Sequence, residues 1–247
     1  MLQQCERFGL RTVQRREAGA ENALPCEAPM DPAPSAELQN GIPRAISRED
    51  MAKLAIRRYE GRVRLVATPA DLEEAQGDLR QEAIVGLDTE TRPAFKKGES
   101  HLPCLVQVAT AREVYLFQLR RTEVFPVVAE LLSDARLVKA GISLKDDMRA
   151  LKHVFPFEEK NLLDLGLVAR RSGFGQTGVR NLAGILLGFR IPKGTKTSNW
   201  AARDLSPAQI AYAATDAWAC RELYLRFQSL GLLAAKAPAE SGAAPQT

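Results

Sequence analysis

The chain has 247 residues, of which 45% are apolar and 26% are charged, a balance typical of a folded protein with a sizeable core. Its net charge of +4 is compatible with a polyanionic partner but is too small to indicate one. The four cysteines are scattered and form no C-x-x-C pair, which argues against a disulfide framework or a zinc knuckle and favours a reducing compartment.

Both ends of the chain lack a sustained apolar period. We predict a flexible N-terminal extension over residues 1–45, which are rich in Ala, Pro, Glu and Gln, and a flexible C-terminal tail over residues 234–247. A folded domain over residues 46–233 remains between them. No segment has the length of a membrane span or the apolar block of a signal peptide, so we expect a cytoplasmic protein.

The first half of this domain contains most of the predicted strands. Ser47 and Thr68 each have the sequence context of a helix start, and "RVRLVA" between them alternates like an edge strand. Three short strands follow, at "AIVGLDTE", "PCLVQVAT" and "EVYLFQL". Consecutive strands with short connections pair antiparallel, so we expect a three-strand meander at one side of a mixed sheet.

The second half is mostly helical. Its predicted elements are a helix at "VFPVVAELLSD", a strand at "ARLVKAGI" and helices at "SLKDDMRALKHVF", at "GVRNLAGILLG" and after Ser206. This order predicts an α/β domain with helices flanking the mixed sheet, and it differs from the strict alternation of a Rossmann fold.

The strand "AIVGLDTE" ends in two acids, Asp88 and Glu90. Residues two apart on a strand point to the same face, so the two carboxylates repel each other unless a proton or a cation lies between them. Carboxylate oxygens are ligands that suit Mg²⁺ or Mn²⁺. The sequence therefore indicates either a metal site or a strand that simply ends in a polar loop.

Two adjacent acids, Asp146 and Asp147, belong to the helix "SLKDDMRALKHVF". At about 100° per residue, Leu144, Met148 and Leu151 form its apolar stripe. Asp147 borders that stripe, whereas Asp146 points nearly the opposite way, into water. We expect Asp147 to face a cleft shared with the sheet.

The last helix carries a phenol and a carboxylate on adjacent turns, at Tyr212 and Asp216. Taken alone, this spacing is typical of a hydrogen-bonded pair at the edge of a core. With Asp88, Glu90 and Asp147 it completes a set of four acids, which two divalent ions about 3.5–4 Å apart would require. Such ions activate water and stabilise the departing 3′ oxygen of a phosphodiester, and the Tyr212 hydroxyl is placed to orient the water.

Three segments in order, "LDTE", the helix containing Asp147 and "YAATD", resemble the motifs of the DEDD superfamily of 3′–5′ exonucleases. The pattern Y-x-x-x-D is that of the tyrosine subgroup, which includes ribonuclease D and the Werner-syndrome-type exonuclease domain. The histidine subgroup would need a histidine where Ala211 stands. The loop "SNW" is similar to the Werner-type branch, and the resemblance covers about Arg62 to Leu230.

This resemblance implies a ribonuclease H-like fold and metal-dependent removal of nucleotides from the 3′ end of DNA or RNA. By motif, it implies Asp88, Glu90, Asp147 and Asp216 as ligands of two Mg²⁺ or Mn²⁺ ions and Tyr212 as the residue that positions the water. We expect no membrane and no obligate protein partner. Since nothing resembles the helical domains of ribonuclease D or a helicase, we expect a stand-alone exonuclease domain.

Two other functions are open at this point. The sequence "DTET" superficially resembles the D-x-D-x-T motif of aspartyl-phosphate phosphatases, but Glu90 replaces the second Asp and the following strands form a meander. A non-catalytic member of the same fold that binds nucleic acid or protein is the second alternative. Such copies usually lose one of the acids, and this chain keeps all four.

Basic and aromatic residues near the motifs are candidates for substrate binding. Lysines there would neutralise phosphates, and an aromatic ring would stack on a base. The candidates are Lys96, Lys97, Lys193, Lys196 and Trp200, together with Arg92, Phe95, Arg190 and Arg203. The alternative for the basic residues is a solvated loop, and the alternative for Trp200 is a place in the core.

Overall fold

The computed structural model describes residues 41–96, 98–194 and 198–233. Its strands are β1 (Arg62–Leu65), β2 (Ile84–Thr91), β3 (Pro103–Ala109), β4 (Glu113–Gln118), β5 (Val138–Gly141) and β6 (Leu162–Asp164). Its α-helices are α1 (Arg48–Lys53), α2 (Pro69–Leu79), α3 (Phe125–Ser133), α4 (Leu144–Leu151), α5 (Leu165–Arg171), α6 (Val179–Leu182) and α7 (Pro207–Ser229). A π-helical segment, Ala183–Leu187, continues α6.

The six strands form one mixed sheet in the order β1-β4-β3-β2-β5-β6. Strands β2, β3 and β4 pair antiparallel, while β1, β5 and β6 join their neighbours in parallel. The predicted antiparallel meander within a mixed α/β sheet is therefore confirmed, as is the edge position of β1. An aspartyl-phosphate phosphatase would need a parallel sheet built from alternating strands and helices. The antiparallel meander of β2, β3 and β4 argues against that alternative.

Three helix starts follow the capping signals in the sequence. The Thr68 and Ser206 hydroxyls each accept a hydrogen bond from a backbone N–H three residues later, and the side chain of that later residue accepts one from the cap's own N–H. Ser47 caps α1 by accepting a hydrogen bond from the Asp50 N–H, without the reciprocal bond. Helix α7 is 23 residues long, and its capped start fixes the positions of Tyr212 and Asp216 along it.

Strand β6 and helix α5 were not predicted. β6 has only three residues and is defined by pairing with β5, since Lys139 lies opposite Leu162. Asp164 ends the strand and caps α5 by accepting a hydrogen bond from the Leu167 N–H at 3.1 Å. No alternation can be read from so short a strand, and its existence depends on a distant neighbour.

The two faces of the sheet pack against different helices. Val85 and Leu87 of β2 belong to a core with α2, α3 and α4, whereas Gly86, Asp88 and Glu90 point to the other face, where α7 lies. This alternation directs the acids towards α7 and places apolar residues beneath them. Within the described ranges, no helix has the combination of length and apolarity that a membrane span requires.

The segment before α1 already contacts the domain. The Arg44 guanidinium donates a hydrogen bond to the Gly173 carbonyl oxygen at 2.8 Å, and the Gly175 N–H donates one to the Arg44 carbonyl oxygen, also at 2.8 Å. Ile42 packs against the core beside α5 and α7. These contacts lie just before residue 45, the predicted end of the N-terminal extension.

Candidate active site

Helix α7 lies close to β2 because position 86 is a glycine. A Cβ there would lie 2.0 Å from the Ala217 carbonyl oxygen and 2.7 Å from the Arg221 amide nitrogen. Ala213 and Ala217 on the same side of α7 are fully buried, so small residues line both surfaces of the contact. This close approach places Asp216 beside the acids of β2.

Three carboxylates converge at this contact. Asp88 and Glu90 of β2 and Asp216 of α7 each offer an oxygen, and these oxygens lie within 4.8 Å of one another. A register shift in the pairing of β2 with β3 follows Glu90 immediately. The three side chains line a cavity of about 210 Å³ together with Tyr212 and Val179.

The cluster is electrostatically unfavourable as it stands. Burial and then the charges of Asp216, Glu90 and Asp147 raise the pKa of Asp88 well above its ordinary value. Burial likewise raises the pKa of Asp216 to about 6, against the opposing effects of a hydrogen bond from Tyr212 and the charge of Arg180. Both shifts reflect the cost of ionising a buried carboxyl, and repulsion by the neighbouring carboxylates adds to the shift of Asp88.

These residues fit a divalent cation. All the donors are hard carboxylate oxygens, which Mg²⁺ and Mn²⁺ prefer. Asp216 is only 5% exposed, and its Oδ1 atom has no hydrogen-bond partner among the described residues. A buried carboxylate oxygen without a donor is a group that a cation would satisfy.

Helix α4 presents Asp147 to the sheet and Asp146 to solvent, the rotation predicted by the apolar stripe. Asp146 is exposed and forms an ion pair with Arg149. Asp147 is half-buried and accepts a hydrogen bond from the Thr89 hydroxyl, while burial raises its pKa to about 6. Asp147 lies outside the group of three described above, but its charge contributes to the raised pKa of Asp88.

Tyr212 is held between a loop and α7. A Cβ at Gly194 would lie 1.5 Å from Cδ2 of the tyrosine ring, so the ring packs directly on the glycine backbone. The Trp200 ring lies on it at a centroid distance of 5.9 Å. Burial and then the charges of Asp216 and Glu90 raise the pKa of Tyr212, so its hydroxyl stays protonated and donates to Asp216.

The predicted substrate-binding residues fall into three groups. Lys96 and Lys193 are exposed, and Lys193 lines a groove that ends at Tyr212. Lys97 and Lys196 lie outside the described residues. Trp200 is only 1% exposed, and therefore the prediction that it stacks on a base does not fit this structure. The ring lies in the core because the loop folds it beneath Tyr212.

Two residues beside the site were missed. Gln107 lies opposite Asp88 in the β2–β3 pairing, is fully buried and has no hydrogen-bond partner for its amide among the described residues. A glutamine inside the apolar strand "CLVQVA" was the signal that could have found it. Arg180 of α6 lowers the pKa of Asp216. No pattern in the sequence connects that arginine with the acids.

A mixed sheet flanked by helices, with acids from its central strand facing an acid and a tyrosine of the last helix, defines a ribonuclease H-like domain of the nuclease type. The sequence profile of the 3′–5′ exonuclease family matches residues 63–231. The chain therefore belongs to this family, and both the resemblance and the fold class inferred from the motifs are confirmed.

Individual relatives agree with this assignment. The chain is 35% identical over 164 residues to a ribonuclease D of Gluconacetobacter diazotrophicus, an alignment that covers 65% of this chain and 41% of the relative. It is 31% identical over 225 residues to the human exonuclease mut-7 homolog, covering 76% and 25% of the two chains. It thus spans less than half the length of these curated relatives.

A solved structure shows the same fold. The exonuclease domain of Aedes aegypti Nibbler superimposes with a TM-score of 0.62 at 23% identity. The match covers 72% of this chain and 92% of the Nibbler domain.

Proposed function

We propose that the protein hydrolyses phosphodiester bonds one at a time from the 3′ end of DNA or RNA, with the help of two divalent metal ions. The observation that carries the proposal is the convergence of Asp88, Glu90 and Asp216 within 4.8 Å, in a chain of the 3′–5′ exonuclease family. Tyr212, which hydrogen-bonds to Asp216, completes the tyrosine-type set of residues.

Four carboxylates would hold the ions. Asp88, Glu90 and Asp216 supply the compact group, and Asp147 supplies a fourth ligand from α4. When bound, Mg²⁺ or Mn²⁺ lowers the pKa of water and neutralises charge on the phosphate and on the leaving 3′ oxygen. Binding also removes the repulsion that raises the pKa of Asp88, so we expect the metal-loaded protein to be more stable.

Tyr212 orients the attacking water. Its raised pKa keeps the phenol neutral, so the hydroxyl acts as a hydrogen-bond partner rather than a base. Its packing on Gly194 and Trp200 restricts the ring to one position. Alignment of the water with the phosphorus atom therefore depends on the loop before α7 as well as on α7 itself.

The nucleic acid and the compartment are part of the same proposal. Relatives named ribonuclease D favour RNA, and the carboxylate chemistry acts equally on DNA, so both are substrates to test.

We place the enzyme in the cytoplasm. Cys104 and Cys220, the two cysteines in the described part of the chain, are unpaired, which suits a reducing compartment.

The test is a time course on 5′-labelled single-stranded DNA and RNA oligomers with Mg²⁺, Mn²⁺ or chelator. We expect a ladder that shortens from the 3′ end and stops when chelator is added. Asp216→Asn should abolish the ladder, because it removes the negative charge of a metal ligand, while Tyr212→Phe should slow it strongly and leave Mn²⁺ binding intact. Mn²⁺ binding is measured by calorimetry.

The non-catalytic alternative gives a different result. An adaptor of the same fold would bind the oligomers but yield no ladder with either metal. Calorimetry would then show no Mn²⁺ binding that depends on Asp216.

A further inference from the structure

A groove of about 1140 Å³ adjoins the carboxylate cavity, and Tyr212 and Val179 line both. We call it the basic groove, because its lining includes Arg48 of α1, Arg180 of α6, and Arg190 and Lys193 of the following loop. Its volume exceeds the roughly 300–1,000 Å³ of a typical small-molecule pocket. The space therefore suits a length of polymer better than a single nucleotide.

The walls of the basic groove are held in place by specific contacts. The Arg57 N–H donates a hydrogen bond to the Arg190 carbonyl oxygen at 3.0 Å, and the Arg190 N–H donates one to the Ala55 carbonyl oxygen at 2.9 Å. On the α1 side, Met51 packs so closely on the π-helical segment that a Cβ at Gly184 would lie 2.6 Å from its Cε atom. The groove is thus preformed.

Its charge is of one sign. Four cations line it, and the described lining contains no acid. On α1, Glu49 and Asp50 lie 3.4 and 2.9 Å from Lys53, whereas Arg48 has no ion pair within the described residues. A groove lined by cations, with no acid in its described lining, attracts a polyanion.

Arg180 connects the groove to the reaction centre. Its Nε donates a hydrogen bond to the Ile191 carbonyl oxygen at 3.2 Å, which holds the side chain in the wall of the groove. The same residue acts on the carboxyl of Asp216, as described above. A strand that leaves the carboxylate cavity past Tyr212 and Val179 therefore enters a groove lined by Arg180 and three other cations.

We propose that the basic groove binds the backbone phosphates of single-stranded nucleic acid on the 5′ side of the bond that is cleaved. This inference rests on the proposed function, which places the 3′ end among the carboxylates. The remaining strand must then leave that cavity, and the basic groove is continuous with it. Of the groove's described lining, Tyr212 alone is aromatic, so the contacts are to phosphates and carry little base preference.

The test compares Arg48→Ala with Arg80→Ala. Arg48 is exposed on α1, a helix without buried residues, so its loss does not threaten folding. Arg80, the C-cap residue of α2, is also exposed and pairs with Glu130, and its removal changes net charge equally. Helix α2 itself packs on the opposite face of the sheet. Binding of labelled DNA and RNA dodecamers is measured by fluorescence anisotropy in an Asp216→Asn background with Mg²⁺, so that the strand is not cut.

We expect Arg48→Ala to weaken dodecamer binding about 3- to 10-fold and to reduce the slope of log K against log salt by about 0.7, the value for one phosphate contact on a single strand. Arg48→Glu should weaken it further. In the otherwise wild-type enzyme, the control Arg80→Ala should leave dodecamer hydrolysis unchanged.

Two outcomes separate the groove from the proposed function. If Arg48→Ala binds the dodecamers like Arg80→Ala, with the same salt slope, the groove proposal is overturned even though the ladder persists. If no oligomer is degraded by the wild type but Arg48→Ala still shows the selective loss of binding, the hydrolytic proposal fails, and only the binding of single strands by the groove is supported.

Discussion

The contact between Gly86 and α7 predicts that one added methyl group disturbs both stability and activity. In Gly86→Ala the new Cβ would lie 2.0 Å from the Ala217 carbonyl oxygen. To restore ordinary contact at 3.4 Å, strand and helix must separate locally by about 1.4 Å. Because Asp216 is on that helix and Asp88 is on that strand, the movement widens the carboxylate cluster.

The size of the effect follows from this displacement. Overpacking a well-packed contact costs about 1–3 kcal/mol, which for a domain of this size lowers the melting temperature by about 2–12 °C. A misplacement of about 1 Å at a reacting centre costs about 10²-fold in rate. We therefore expect Gly86→Ala to lose activity by about that factor at temperatures where it is still folded.

Gly77→Ala is the matched control. Gly77 is exposed in the last turn of α2, and an added Cβ meets no atom within 4 Å. Since alanine is favoured over glycine in a helix, this variant should be more stable by about 0.5–1 kcal/mol and fully active. Thermal unfolding, Mn²⁺ calorimetry and the oligomer assay are compared for both. If Gly86→Ala has the melting temperature and the hydrolysis rate of the wild type, the contact between Gly86 and α7 does not position the carboxylates as argued.

Three further predictions concern the same site. Gly194→Ala should displace the Tyr212 ring and slow hydrolysis without weakening Mn²⁺ binding. If Mn²⁺ affinity falls by the same factor as the hydrolysis rate, the loop does not act by positioning the tyrosine. Asp147→Ala should impair activity and Asp146→Ala should leave it intact; the reverse result would mean that α4 is rotated. Burial raises the pKa of Asp216 to about 6 in the folded state, so ionising this group costs stability as pH rises from about 4 to above 6. The metal-free wild type should therefore melt progressively lower than Asp216→Asn across this window, and parallel melting curves would contradict that pKa.

Much of this architecture could be predicted because strong local signals agree with the tertiary structure. The capping residues Thr68 and Ser206 mark helix starts with their own side chains. The apolar stripe of α4 determines which of Asp146 and Asp147 faces the protein. Side chains alternate between the two faces along β2, so Asp88 lies on the face opposite that of Leu87, which is buried in the core.

The remaining features depend on distant parts of the chain. Trp200 belongs to a polar loop, and its burial is decided by Tyr212 and by the glycine against which that ring packs. Nothing in the local sequence distinguishes Gly86 from other strand glycines, because its role depends on the position of α7. Arg48 and Arg180 are separated by most of the domain and share one groove through distant contacts, namely the pairing of the Arg57 and Arg190 segments and the packing of Met51 on Gly184.

The packing of Trp200 on Tyr212 gives the molecule an internal optical probe. The chain has two tryptophans, and both pack on the α7 side of the sheet. Trp218 stacks on Phe189 at a centroid distance of 5.4 Å, so Trp218→Phe keeps an aromatic pair there. Indole emission then comes from Trp200 alone and reports, without any label, on how tightly the loop holds the tyrosine.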